Sequence, residues 1–243
     1  KDFGAKGDGK TDDALAIFRA VSALRSSPPG SVLNFEANKT YYYKNNGSII
    51  KSVFYLENDT GYTLKGNNCL IKLGGYDKNY MNIRNCKDIV IEGFNFDYAE
   101  YKPAFAATID SYDLSSGTAI LTADRPIHLE TGDTYTSTTQ DYFGTIPSSN
   151  SRYYMWIKKY EMIDANARKV KVYFDTSKGH ASLILSSPNL KKDGLVMPMP
   201  QISFNGISCE IHDNTNITLR KINVYSSRYH GFYCMRNKGT VLF

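Results

Sequence analysis

The sequence predicts an all-β chain wound as a parallel β-solenoid, and three observations lead there. Cys86-Lys-Asp-Ile-Val-Ile-Glu-Gly-Phe-Asn-Phe and Asn214-Thr-Asn-Ile-Thr-Leu-Arg-Lys-Ile-Asn-Val share one pattern, in which Ile89, Ile91, Phe94 and Phe96 fall on Ile217, Leu219, Ile222 and Val224. The frame recurs upstream, where Tyr62, Leu64 and Gly66 match Ile89, Ile91 and Gly93, and downstream from Lys238, a return about every 24 to 27 residues. The unit is a short apolar-alternating strand, a one-residue break and a second alternating strand. One such coil cannot bury its inward side chains alone, but coils laid ~4.8 Å apart pair as parallel strands over a continuous core.

A pile of coils needs a cover at its end, and the N-terminus supplies one. Thr11-Asp12-Asp13 offers N-cap side chains to a helix over 14–24, whose Ile17, Val21 and Leu24 share a face. Pro28-Pro29-Gly30 stops it. Val32, Leu33 and Phe35, then Tyr41 and Tyr43, read as the first strands under this cap. Gly4-Ala-Lys-Gly-Asp-Gly-Lys-Thr11 satisfies the spacing of a phosphate-binding loop. That chemistry needs an apolar strand running into the loop, and only three residues precede Gly4, so cap and turn chemistry is expected instead.

The period lapses over residues 101–200, which divides the chain into a cap with first coils (1–100), an inserted small antiparallel β-barrel module (101–200) and a resumed solenoid (201–243). Within the insert, 107–122 reads as a hairpin turning near Ser115 to Gly117. Residues 156–163 and 169–174, joined by Asp164-Ala-Asn-Ala, read as another, and the Ser/Thr/Asn-rich 134–151 reads as a loop. The insert leaves the coils carrying Cys86 and Asn214 as expected neighbours. Val241, Leu242 and Phe243 fall within a repeated strand, so further coils are expected beyond them.

Asp2-Phe-Gly-Ala-Lys-Gly-Asp-Gly-Lys-Thr-Asp-Asp13, followed by an Ala-rich helix and Gly30-Ser-Val-Leu-Asn-Phe35, resembles the opening of the pectate-lyase superfamily of right-handed parallel β-helices. Similar openings precede glycosidases, polysaccharide lyases, epimerases and phage tailspikes, so this one speaks for fold and not for reaction. A barrel inserted after an early coil, then a strand, a Ser-containing turn and Gly231-Phe232 with a following Arg236, is similar to α-1,3-galactosidase-type inverting glycosidases. That likeness implies a right-handed parallel β-helix, an exo-acting glycoside hydrolase and catalytic carboxylates in later coils. His230 departs from the pattern.

Composition narrows the partners. Aromatics are 13% with 19 Tyr but one Trp, which suits half-exposed sheet faces and sugar contact. The net charge of +5 is scattered, with no Lys/Arg stripe for nucleic acid, and no apolar run approaches a membrane span. Lys1 is no initiator Met, which permits a removed leader, and a secreted or cell-surface location is expected. Cys69, Cys86, Cys209 and Cys234 show no disulfide or metal spacing and read as free, mostly buried thiols. No metal or other cofactor is required, and the oligomeric state is left open. The Asn-x-Ser/Thr sequences at Asn38, Asn46, Asn58 and Asn216 read as turns.

Aligning the strands that rejoin the solenoid puts Met81/Cys209/Tyr233 and Ile83/Ile211/Met235 inward, and Asn82/Glu210/Cys234 and Arg84/His212/Arg236 outward. An outward column on a parallel solenoid makes a shallow groove for a polymer or its end. Arg84, His212 and Arg236 are therefore expected to bind substrate, together with Tyr225, Arg228, Tyr229 and His230 on the turn after the second strand. Glycosidic hydrolysis needs one carboxylic acid and a second carboxylate, and Asp97 and Glu210 are the expected pair. A polysaccharide or oligosaccharide hydrolase is the reading; a uronate lyase or epimerase and a non-catalytic glycan-binding β-helix are its alternatives.

Overall fold

The structure is a computed structural model that describes residues 3–44, 52–74, 79–99, 104–127, 129–142, 155–180, 195–198, 207–227 and 230–239. In chain order its elements are β1 (Asp8–Asp12), α1 (Ala14–Arg25), β2 (Val32–Asn34), β3 (Thr40–Tyr43), β4 (Ser52–Glu57), β5 (Thr63–Leu73), β6 (Asn79–Arg84) and β7 (Lys87–Tyr98). There follow β8 (Ala104–Asp113), β9 (Thr118–Ala123), β10 (Thr134–Tyr142), β11 (Met155–Asp164), β12 (Lys169–Gly179) and β13 (Leu195–Pro198). The last are β14 (Ile207–His212), β15 (Thr215–Arg220), β16 (Asn223–Val224) and β17 (His230–Met235). The chain divides into two compact units, one of Lys1–Lys102 with Asn205–Phe243 and one of Pro103–Phe204.

In the first unit all strand pairs are parallel. One sheet runs β1-β3-β5-β7-β15, with β2 and β16 also paired into it, and the other runs β17-β14-β6-β4. From β4 onward the unit's chain passes from one sheet to the other and back, as β4, β5, β6, β7, then β14, β15 with β16, and β17. The repeated frame is real register: Ile217 pairs with Ile89, Leu219 with Ile91 and Val224 with Phe96, while Leu64 pairs with Ile91. These residues point inward, into one cluster drawn from both sheets and α1. Phe35, Phe54, Phe94 and Phe96 meet edge-to-face and stacked there, with ring centroids from 5.0 to 6.0 Å. The break in the frame is Gly93, at φ +73°. Gly66 lies against it, and a Cβ there would stand 2.4 Å from the Gly93 carbonyl and 2.6 Å from the Phe94 ring.

Between the sheets the backbone turns left-handed at matching positions. Asn58, Asn85, Asp213 and Arg236 share φ values of +59°, +52°, +59° and +53°, and three residues further on Gly61, Asp88, Asn216 and Gly239 do the same. This explains the richness in Asn: Asn38, Asn58 and Asn216, whose acceptor-like sequences read as turns, all have positive φ. Asn46 lies outside the described residues. The downstream repeat is one residue shorter than expected, since Lys238 bridges to Thr215 and not to Asn214. Residues 241–243 lie outside the described part.

Asparagine side chains finish what the backbone leaves open. Buried Asn214 accepts from the Cys86 N–H at 2.8 Å, and its Nδ2 donates to the Ile83 carbonyl at 3.0 Å and to Asn237 Oδ1 at 2.9 Å. A second row runs from the turn before β3 across β5, β7 and β16, with Asn68 donating to Asn38, Asn95 to Asn68 and Asn223 to Asn95, at 2.9, 3.0 and 2.8 Å.

Helix α1 forms as expected, with Ile17, Val21 and Leu24 buried against β2 and β4. Its cap differs. Asp12, not Asp13, accepts the Ala14 N–H, at 3.0 Å, and it takes the Lys44 N–H as well. Asp13 turns away from the helix, 1% exposed, and accepts the N–H groups of Lys6 and Gly7 at 2.6 and 3.1 Å. The phosphate-loop spacing is taken up by strand β1, where Asp8 accepts the N–H groups of Lys10 and Thr11 at 2.8 and 2.7 Å. Nearby shallow space between α1 and β2 is lined by Phe3, Ile17, Leu33 and Tyr41.

The second unit is one antiparallel sheet in the order β10-β11-β12-β9-β8-β13. Both expected hairpins are present, β8 with β9 and β11 with β12. Among the described residues the sheet has β10 and β13 at its edges, so the expected closure into a barrel is not seen. The expected loop over 134–151 begins as strand β10: its Thr/Tyr run suits an edge strand, and Tyr135 packs on Tyr160 at 6.3 Å between centroids. Among the described residues no helix is long and apolar enough to cross a membrane.

Two outcomes test this description. Asn214→Ala should lower unfolding free energy by about 1–3 kcal/mol for each buried backbone group left unpaired; Asn223→Ala, at a half-exposed site, should cost less, as denaturant titration would show. Replacing 103–204 by a Gly/Ser linker should leave β6 paired with β14 and β7 with β15. Loss of amide-exchange protection in those four strands would show that the second unit is needed to hold the first together.

Candidate functional site

Three columns of the β17-β14-β6-β4 sheet converge on one imidazole. Strand alternation turns Met81, Ile83, Cys209 and Ile211 inward and leaves Asn82, Arg84, Glu210 and His212 on the other face. Register then sets Glu210 beside Asn82 and His212 beside Arg84, as the sequence alignment has them. Asn82 Nδ2 donates to Glu210 Oε2 at 3.0 Å. Arg84 Nε donates to His212 Nε2 at 3.1 Å, and Glu210 Oε1 stands 3.3 Å from the same nitrogen. The other ring nitrogen, Nδ1, lies 2.7 Å from Asp213 Oδ2. Arg236 closes the chain with a fork on Asp213, 2.6 Å from Nε to Oδ1 and 2.7 Å from Nη2 to Oδ2. His212 is only 8% exposed, whereas the Arg236 side chain lies open to water.

The charges are mutually set. The Arg236 guanidinium, and next the His212 ring, hold the Asp213 carboxyl well below the usual carboxylate range, and Asp213 in turn raises Arg236. Asn82 Oδ1 is buried with no hydrogen-bond partner among the described residues. Two carboxylates flank a buried imidazole, with two guanidiniums beside them. Such a group can receive a polar or anionic ligand and can hold or pass a proton.

The expected third row is corrected by one residue. β17 pairs Phe232 with Cys209, Tyr233 with Glu210 and Met235 with His212. Phe232 packs on the core, while the Tyr233 hydroxyl stays on the polar face and donates to Met235 Sδ at 3.4 Å. Arg236 therefore reaches the site from a left-handed corner rather than from the strand. Asp213 was missed by the sequence reading. Its signal was available: it stands in the column where the earlier repeats have Asn58 and Asn85.

Asp97 and Tyr225 sit elsewhere. Asp97 is on β7, in the other parallel sheet, and accepts from Ser226 Oγ at 2.7 Å. Tyr225, 65% exposed, donates to Asn95 Oδ1 at 3.4 Å. Asp97 and Glu210, the expected carboxylate pair, thus belong to different sheets with different partners. The adjoining serines do link the two regions, since Ser227 meets Ser208 of β14 at 2.9 Å. Arg228, Tyr229 and the side chain of His230 lie outside the described residues.

The cysteines are poorly placed for thiolate chemistry. Burial pushes the Cys69 thiol up to about 12 and raises Cys86, Cys209 and Cys234 as well, which disfavours the thiolate. All four are free thiols, three buried and Cys234 exposed. Among the described residues no three His, Cys, Asp or Glu side chains converge as metal ligands.

No family model matches this chain, and neither does any curated protein.

The lowered Asp213 has a consequence for acid stability. A group whose folded value is depressed stabilises the fold above its unfolded value, here 3.8, and loses that contribution as pH falls through the folded value. Asp213→Asn should therefore be less stable than wild type near neutral pH, with the gap closing on acidification below the usual carboxylate range. Urea titrations at several pH values would check this; a gap that widens in acid would contradict it.

Proposed function

We propose that this chain forms part of a secreted or cell-surface carbohydrate-active enzyme, a glycoside hydrolase in the first instance, acting on a polysaccharide or oligosaccharide. Its two parallel sheets are read as two faces of a right-handed parallel β-helix, each coil giving a strand to both. Support for that winding comes from the alternation of strands between the sheets and from the matching left-handed corners. The observation that carries the functional reading is the Glu210–His212–Arg84 group on the polar face of a parallel sheet. Glu210 is the carboxylate offered to a sugar, with its Oε2 fixed by Asn82 and its Oε1 turned to the imidazole. A carboxylate held this way suits general acid or base work on a glycosidic oxygen or on water. Asp97 is the candidate for the second carboxylate, at the corner tied to β14 through Ser226 and Ser227.

One observation favours a second reading. A guanidinium 3.1 Å from an imidazole is also what a uronate lyase or epimerase uses, with the cation neutralising the sugar carboxylate beside a base. A protein that only binds glycans is the third outcome.

Assays on aryl glycosides and uronate polymers separate these. Reducing sugar marks a hydrolase, absorbance from an unsaturated product marks a lyase, and binding without turnover marks a binding protein. Glu210→Gln should lower kcat on the order of 10²-fold or more while leaving the fold intact. Full turnover in Glu210→Gln would remove this face from the chemistry.

A further inference from the structure

Two groups meet at one lone pair of His212, and a third holds its other ring nitrogen. Asp213 is held ionised by Arg236, and a carboxylate only accepts, so the His212 Nδ1 at 2.7 Å from it carries a proton. Arg84 Nε–H only donates, so His212 Nε2 at 3.1 Å accepts from it, and the imidazole is neutral while that bond stands. Glu210 Oε1, 3.3 Å from the same nitrogen, then faces it with no proton between them. The arrangement is divided between two states. In one, Arg84 occupies Nε2. In the other, Nε2 carries a proton toward Glu210, and Arg84 must leave, because two donors cannot share one site.

The surroundings offer partners to both states. Along the row through His212 lie Glu57 on β4, Arg84 on β6 and Met235 on β17. Along the row through Glu210 lie Tyr55, Asn82 and Tyr233. Tyr55 donates to Glu57 at 2.8 Å, and Arg236 is spent on Asp213. The imidazolium would have a carboxylate at each nitrogen, Glu210 and Asp213. The neutral ring has Arg84 instead. What decides between them is where Arg84 finds its best anion.

We propose that the site recognises an acidic glycan, and that its carboxylate or sulfate draws Arg84 off His212 so that His212 takes up one proton at Nε2. In this step the Arg84 N–H to Nε2 hydrogen bond breaks, an N–H bond forms at Nε2 with a proton from bulk water, and the guanidinium pairs with the ligand's anion. The bound site then holds an imidazolium between Glu210 and Asp213, an acid that is charged only while an acidic sugar is present. Anion binding and proton uptake are reciprocally linked, so binding tightens as pH falls. The choice of an acidic sugar rests on the glycan reading above; the exchange at Nε2 rests on geometry alone.

The test uses isothermal titration calorimetry with D-galacturonate and with inorganic sulfate, each in two buffers of different ionisation enthalpy, alongside ¹⁵N spectra of the histidine rings. Wild type should take up close to one proton per bound anion, with the His212 Nε2 signal changing to that of a protonated nitrogen. Arg84→Gln should lose at least tenfold in anion affinity, and His212→Asn should bind without proton uptake. Absence of anion binding, binding with no proton uptake, or equal uptake in His212→Asn would overturn the proposal. The two readings can fail separately. If neutral oligosaccharides are cleaved while neither anion binds, the glycan reading survives and the exchange does not. If both anions bind with proton uptake but no glycan is bound or cleaved, the exchange survives and the glycan reading does not.

Discussion

The first unit depends on a backbone constraint at its corners. To leave one parallel sheet and enter the other within a few residues, the chain turns left-handed twice, at Asn58, Asn85, Asp213 and Arg236 and again at Gly61, Asp88, Asn216 and Gly239. For an L-residue with a Cβ this conformation costs roughly 1–2 kcal/mol, less where a short polar side chain bonds locally and nothing at glycine. Seven of these eight residues are Asn, Asp or Gly. Arg236 is the exception, and its guanidinium is locked by a two-pronged bond to Asp213 in the preceding corner. Corner and strand register thus reinforce each other: a slip that brought the next residue into the second left-handed position would put Tyr62, Ile89 or Ile217 there and turn every core residue to the other face.

The candidate site grows out of the same corner. Asn58 and Asn85 are neutral, and in their column the chain has Asp213, immediately after His212. An amide there could also meet Nδ1, but it would bring no charge. The carboxylate brings the Arg236 fork, holds His212 by Nδ1 and leaves Nε2 facing Arg84 and Glu210. The strand then adds its own geometry. Alternation sends Glu210 to the same face as His212, and lateral register sets Arg84 and Asn82 against them. A change of charge at one structural position is enough to turn a packing corner into a group that can handle protons.

Amide side chains tie polar groups together both in the core and along the surface of the first unit. Asn214 serves the Cys86 N–H and the Ile83 carbonyl from neighbouring strands, and the Asn38–Asn68–Asn95–Asn223 row carries side-chain bonds along the direction in which the strands are paired. Charges on the outer face follow the same register: Glu92 lies between Lys65 and Arg220, each on an adjoining strand, and Arg220 lowers its carboxyl. These ladders tie strands distant in the chain, and they help explain how β7 and β15 pair although a second unit of more than 100 residues, Pro103–Phe204, lies between them in sequence.

By itself the sequence determined which side chains face inward at Ile89, Ile91, Phe94, Phe96, Ile217 and Leu219, where the helix lies, and where the two hairpins of the second unit turn. Those signals are local: alternation has a period of two, a buried helix face a period near 3.6, and turns need particular residues. Only the tertiary structure decided the rest. The repeat already set Asn82 beside Glu210 and Arg84 beside His212, residues 128 apart, but which of their atoms meet is a matter of side-chain geometry that no strand pattern encodes. The same holds for Arg236: periodicity gave its neighbourhood, but Phe232 rather than Tyr233 entered the core, because a ring without a hydroxyl leaves no polar group to satisfy there. That single choice moved Arg236 from the strand face to the corner and brought it onto Asp213. Asp13 likewise carried the sequence signature of a helix cap, yet it was drawn to the N–H groups of Lys6 and Gly7, which the fold had buried beside it.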